Sequence, residues 1–107
     1  MIPGFTKSQF NTLLKIFLSI QELQQVILYG SRAKGNYSEG SDVDITLKGE
    51  KVNHQTLQNL SKMVDDSSLP YQFDISIFST IENQDLIDHM NRVGQLIYSK
   101  NKTFKEA

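Results

Sequence analysis

Asp42-Val43-Asp44 places two carboxylates one residue apart. In an extended segment both side chains leave the same face, with α-carbons ~6.5–7 Å apart. Like charges on one rigid face repel, so a cation is expected between them. Mg²⁺ suits, because it takes hard oxygen ligands from one or two carboxylates together with substrate phosphates. Ten residues lie between Asp42 and the upstream pair Gly30-Ser31, which follows the apolar run Val26-Ile27-Leu28-Tyr29. A glycine at such a turn permits close backbone approach, and a helix starting there offers free amides to an anion. The Ser31 hydroxyl adds a donor, and Arg32 and Lys34 bring positive charge to the same turn. Asp74 is the third acid, flanked by Phe73 and Ile75, where a charge is costly without a partner. If its strand lies beside the one carrying Asp42 and Asp44, backbones stand ~4.8 Å apart and three carboxylates converge. Three acids can hold two metal ions ~3.5–4 Å apart, the arrangement that stabilises attacking and leaving oxygens in phosphoryl-type displacement.

These residues need elements to hold them. Phe10, Leu13, Leu14, Phe17 and Leu18 recur at helical spacing behind Thr6 and Ser8, either of which can cap, so a helix is expected over residues 8–22. Residues 26–29 read as a buried strand, and residues 30–40, with three glycines, as a turn, a short helix and a loop. A strand is expected over 43–47 and a helix over 55–66. Residues 71–78 alternate, with Phe73, Ile75 and Ile77 on one face and Gln72, Asp74 and Ser76 on the other. Leu86, Ile87, Met90, Val93 and Ile97 predict a last helix over 85–98, interrupted by Gly94, and residues 100–107 are polar and expected to fray. The fold class is α/β (α+β), helices packed on a small mixed sheet.

With 107 residues, 38% hydrophobic and 21% charged, the chain is expected to form one domain over residues 1–107. No apolar run reaches the ~18 residues of a membrane span, and Met1-Ile2-Pro3-Gly4 lacks the layout of a secretion signal, so a cytoplasmic location is expected. The absence of cysteine excludes disulfides, thiolate metal sites and thiol nucleophiles. A net charge of −1 with scattered basic residues disfavours direct nucleic-acid binding.

Gly30-Ser31, ten residues, then Asp42-Val43-Asp44 resembles the Gly-Ser-x10-Asp-x-Asp signature of the DNA polymerase beta-like nucleotidyltransferase superfamily. Gly30-Ser31-Arg32-Ala33-Lys34-Gly35 is similar to its minimal (MNT) branch, Leu69 through Asp74 to that branch's third-carboxylate strand, and Leu86 through Tyr98 to its closing helix. The resemblance covers residues 8–98. It implies that Gly30 and Ser31 hold nucleotide phosphates, that Asp42 and Asp44 bind two Mg²⁺ ions, and that Asp74 binds the one nearer the acceptor and helps activate an attacking hydroxyl. ATP as the substrate is implied by the family alone. It further implies an antitoxin that pairs with, and can adenylylate, a helical HEPN-type partner protein. Two other readings stand beside it: a binding subunit that neutralises its partner by occlusion, which the intact acid triad disfavours, and an aminoglycoside-type enzyme, which the missing C-terminal domain disfavours.

Each feature also has an ordinary role. Gly30 could simply form a turn, Ser31 cap a helix, Asp74 decorate an edge strand, and Arg32 and Lys34 be structural or solvated. His54 and His89 are expected to be structural or solvent-facing, and Tyr29, Tyr37 and Tyr71 to pack, although Tyr37 could approach a base.

Overall fold

Thr6 starts the first helix, α1 (Lys7–Ser19), through a reciprocal cap: its hydroxyl accepts the Gln9 N–H at 3.1 Å and the Gln9 side chain accepts the Thr6 N–H at 2.9 Å. The computed structural model describes residues 1–100, so the expected fraying of the tail lies outside the described residues, apart from Lys100. After α1 come β1 (Gln25–Tyr29), the one-turn helix α2 (Gly30–Lys34), β2 (Val43–Lys48) and α3 (His54–Asp66). Asn53 caps α3 by accepting the Thr56 N–H. Then follow β3 (Phe73–Ile77), a 3-10 turn at Phe78–Thr80, α4 (Gln84–Val93) and β4 (Gln95–Ser99).

The four strands form one mixed sheet in the order β3-β2-β1-β4. β1 runs antiparallel to both β2 and β4, while β2 and β3 are parallel. A parallel pair cannot be joined by a hairpin, and α3 supplies the crossover. Alternation along the strands then sorts side chains by face. Val26 and Leu28 of β1 join Val43, Ile45 and Leu47 of β2 in a core with Leu13 and Phe17 of α1 and Leu60 and Val64 of α3. Each such burial contributes about 1.5–3 kcal/mol. The exposed ion pair Lys62–Asp66, 3.6 Å long, is worth under about 1 kcal/mol, so the apolar layer holds the fold. On the opposite face Ile27 meets Gly94, just past α4, and Tyr29 meets His89 of α4.

The closing segment departs from expectation. A single helix over 85–98 is replaced by α4 ending at Val93 and strand β4. A Cβ at Gly94 would strike the Met90 carbonyl and stand 2.9 Å from Ile27 Cγ2, so only glycine lets the chain turn so tightly there. Beyond the turn the chain pairs with β1, burying Ile97 and Tyr98. Among the described residues no helix is long and apolar enough to cross a membrane.

Candidate active site

Register brings two of the acids together. Asp44 stands directly opposite Asp74 in the parallel β2–β3 pair, and opposite Tyr29 in the antiparallel β1–β2 pair. Residues opposite one another share a face, so Asp44, Asp74 and Tyr29 project together. Asp42 lies two residues before Asp44, just outside β2, where the Val43 N–H already donates to the Gln72 carbonyl at 2.8 Å. Asp42 and Asp74 are exposed and Asp44 is half-buried. Burial raises the proton affinity of Asp44 above the usual aspartate range, and the charges of Asp74 and then Asp42 raise it further. Asp44 therefore feels the charge of both other acids. Among the described residues, however, no three carboxylates or imidazoles are drawn into a ready-made ion cage.

Tyr29 closes the floor of this face. It is buried, and burial raises the pKa of its phenol; the charges of Asp74 and Asp44 add to the rise while the Ser76 side chain opposes it. The phenol thus stays protonated beside the acids.

Gly30 follows at once with φ of +76°, a conformation that costs an L side chain about 1–2 kcal/mol. A Cβ here would also collide with the Asp44 carboxylate. Glycine is thus required twice, by the backbone angle and by the carboxylate pressed against it. The turn is closed at its far end by N–H groups of Gly35 and Asn36 donating to the Ser31 carbonyl at 3.0 and 3.2 Å. Ser31 is half-buried at the start of α2, which has only five residues. A helix this short has little macrodipole, so any attraction for an anion must come from individual groups.

Arg32 turns into the protein. It is 1% exposed; Nη1 donates to the Pro3 carbonyl and Nη2 to the Ser41 carbonyl, each at 2.9 Å. Its guanidinium lies 4.8 Å from the Tyr37 ring centroid and 5.2 Å from that of Tyr71. The planar fork of arginine suits such a bridge, and it ties the N-terminal turn to the loop that delivers Asp42. In this structure Arg32 acts as a clamp, with carbonyl oxygens and aromatic faces around its guanidinium. Tyr37 and Tyr71 are its walls, beside an open cavity of about 460 Å³ that Gly4, Glu39 and Pro70 also line. Lys34 is exposed at the end of α2.

His89 was expected to be structural or solvent-facing, and its actual contact is specific: Nε2 accepts the Gly30 N–H at 3.1 Å. A signal for this was available. His89 lies three residues after Leu86 and four before Val93, at the margin of the apolar stripe of α4, where side chains face the sheet. The chemistry open to this face is the holding of a cation by the acids, with an anionic phosphate group between that cation and the turn.

Comparison with known proteins points the same way. Residues 11–103 match the model of the family described as polymerase beta, nucleotidyltransferase. A curated relative from Methanocaldococcus jannaschii, whose name gives it provisionally as a protein adenylyltransferase, is 34% identical over 91 residues, covering 82% of this chain and 87% of its own length. A chain of a toxin–antitoxin complex crystallised with AMP-PNP superposes with a TM-score of 0.69 at 19% identity, over 88% of this chain and 76% of its own. A chain from a complex of tri-AMPylated Shewanella oneidensis HEPN toxin with MNT antitoxin gives 0.61 at 17% identity, over 90% and 74%. At those identities the structural likeness is one of fold.

Proposed function

The chain belongs to the polymerase beta nucleotidyltransferase family, with the mixed α+β fold of that family, and we propose that this enzyme moves AMP from ATP onto a hydroxyl of a HEPN-type partner protein, as an antitoxin that acts by adenylylation. The observation that carries the reading is the cross-strand pair Asp44–Asp74, with Asp44 pressed against Gly30, where nothing larger than hydrogen would fit. The named adenylyltransferase relative supports AMP as the group moved, and the toxin–antitoxin neighbours support the kind of partner.

In this reading the residues divide the work. Ser31 and the turn around Gly30 hold phosphate oxygens, and exposed Lys34 adds charge at the rim. Asp42, Asp44 and Asp74 would hold two Mg²⁺ ions; the donor set fits, being all hard oxygen, and Asp44, whose proton affinity is raised by burial and then by the charges of Asp74 and Asp42, would gain from a cation. Bound there, Mg²⁺ would neutralise the triphosphate and favour the deprotonated acceptor. Asp74, the most open member of the cross-strand pair, accepts or directs the proton of the attacking hydroxyl. The hydroxyl oxygen forms a bond to the α phosphorus, the bond to the bridging oxygen breaks, and pyrophosphate leaves. Residues 1–107 act as one minimal domain in the cytoplasm.

The test uses labelled ATP, Mg²⁺ and the protein encoded by the adjacent reading frame. Label should pass to that protein with the wild type and not with Asp42→Asn combined with Asp44→Asn. Labelling that survives the double change removes the assignment. Full neutralisation of the partner by a triple Asp variant, without ATP turnover by the wild type, would leave occlusion as the function.

A further inference from the structure

The turn between β1 and α2 does not hold itself. A five-residue helix forms too few hydrogen bonds to offset the cost of starting it, and α2 has no side-chain cap at its beginning. Two side chains from the C-terminal segment brace it instead. His89 Nε2 accepts the Gly30 N–H at 3.1 Å, and Gln95 Nε2 donates to the Ala33 carbonyl at 3.1 Å. One brace takes the first amide of the turn and the other a carbonyl three residues on. The helix that carries His89 is itself well seated. Asn83 caps it by accepting the Leu86 N–H at 3.2 Å, Met90 is buried, and Gly94 allows close contact with Ile27. The imidazole also stands edge-on to the Tyr29 ring, at 6.3 Å between centroids and 81° between planes, which limits its rotation.

We propose that His89 is a positioning residue for nucleotide transfer, its imidazole nitrogen holding Gly30 in the left-handed conformation that lets the turn leading into Ser31 lie against Asp44. This rests on reading Gly30 and Ser31 as the phosphate-holding turn. To accept from an N–H, Nε2 must be bare, so the ring proton sits on Nδ1. An N–H already donating to His89 is also withdrawn from phosphate. Gly30 therefore contributes conformation and clearance, and the contacts to phosphate fall to Ser31 and the amides after it.

The test compares His89→Leu, which fills the space without an acceptor, with His89→Gln, whose side-chain oxygen can accept the same N–H. Steady-state transfer from ATP, the amide resonance of Gly30 in the nucleotide-free protein, the imidazole nitrogen resonances of the wild type, and thermal unfolding would be read together. Leu should raise KM for ATP roughly three- to tenfold, the worth of one ordinary hydrogen bond, with a smaller change in kcat. Gln should restore most of it, the Gly30 amide should shift in the Leu variant, and His89 should show the Nδ1–H tautomer. A KM within twofold of wild type for Leu, a Gln variant as impaired as Leu, or a proton on Nε2 would each overturn the proposal. If instead wild-type protein fails to bind ATP while the Gly30 amide still shifts in the Leu variant, the brace is real, but the nucleotide reading fails and takes the positioning role with it.

Discussion

At the end of the sheet where β1 begins, Glu22 receives a hydrogen bond of 2.7 Å from the buried Thr56 hydroxyl; at the end where β1 finishes, Asp44 faces Asp74 and is approached by Asp42. The first carboxylate has its pKa lowered, by the Thr56 bond and then by backbone. The second has its pKa raised, by burial and then by like charge. The same kind of group is thus satisfied from within at one end and left wanting at the other. Glu22 serves the fold, since Thr56 also forms the reciprocal cap with Asn53 that starts α3. Asp44 is held against its own preference by the strands on either side, and such a group has most to gain from a ligand brought from outside.

The contrast is sharpest in activity. Asp44→Asn should lower AMP transfer by about 10²- to 10⁴-fold, the range for loss of a group engaged in proton transfer or charge stabilisation, measured by labelled-AMP incorporation. Glu22→Gln should leave transfer unchanged. A comparable loss from both would mean that the two ends are not distinct in function.

Next in size is the scaffold of the acidic end. Arg32→Ala removes two charge-assisted hydrogen bonds to carbonyls and should cost about 3–5 kcal/mol in denaturant unfolding. Arg32→Lys should recover little, since an ammonium cannot bridge both carbonyls in one plane. Under conditions where either variant is folded, its KM for ATP should stay within twofold of wild type. A large rise in KM for folded Arg32→Lys would return Arg32 to the phosphate-binding set.

Gly30→Ala should cost at least about 1–2 kcal/mol from backbone angle alone, with more from the collision with Asp44, and should impair transfer. In the double variant Gly30→Ala with Asp44→Ala the collision is relieved, so part of the stability should return while transfer stays lost.

The smallest effects have opposite signs at the two ends. For Asp44 the folded pKa lies above the unfolded one, so folding becomes less favourable as pH rises from about 4 through the raised value. Asp44→Asn should therefore melt higher than wild type at pH 7, and that advantage should vanish below about pH 4. For Glu22 the folded pKa is depressed, so its contribution is present above the unfolded value of about 4.3 and lost as pH falls through the folded one. Glu22→Gln should melt about 1–3 °C lower at pH 7, a small figure because the group is partly exposed, and the gap should close in acid. Added Mg²⁺ should raise the melting temperature of wild type and not of Asp42→Asn combined with Asp44→Asn.

Much of this was legible in the chain itself. The alternation that places Asp74 opposite in direction to Phe73 and Ile75 is a property of extended backbone, and the helix start at Thr6 is written in a side chain three residues from its partner. The end of α4 was not legible. Ile97 fits the helical stripe of Leu86, Met90 and Val93 as well as it fits a strand, and the open edge of β1 decided the matter. Arg32 is a phosphate candidate by its neighbours in sequence, and its burial was not legible there. Its partners are Pro3, Ser41, Tyr37 and Tyr71, and a buried bridge of that kind leaves no periodic trace.

The sequence by itself determined that two acids stand one residue apart and that a glycine and a serine precede them by a fixed length of chain, because those relations are covalent. Tertiary structure alone decided that Asp74 meets Asp44 rather than another residue of β2, that His89 reaches the Gly30 amide, and that Arg32 turns inward. Each of those depends on the packing of segments distant in sequence, where the free energy of the whole layer selects register and the local residues do not.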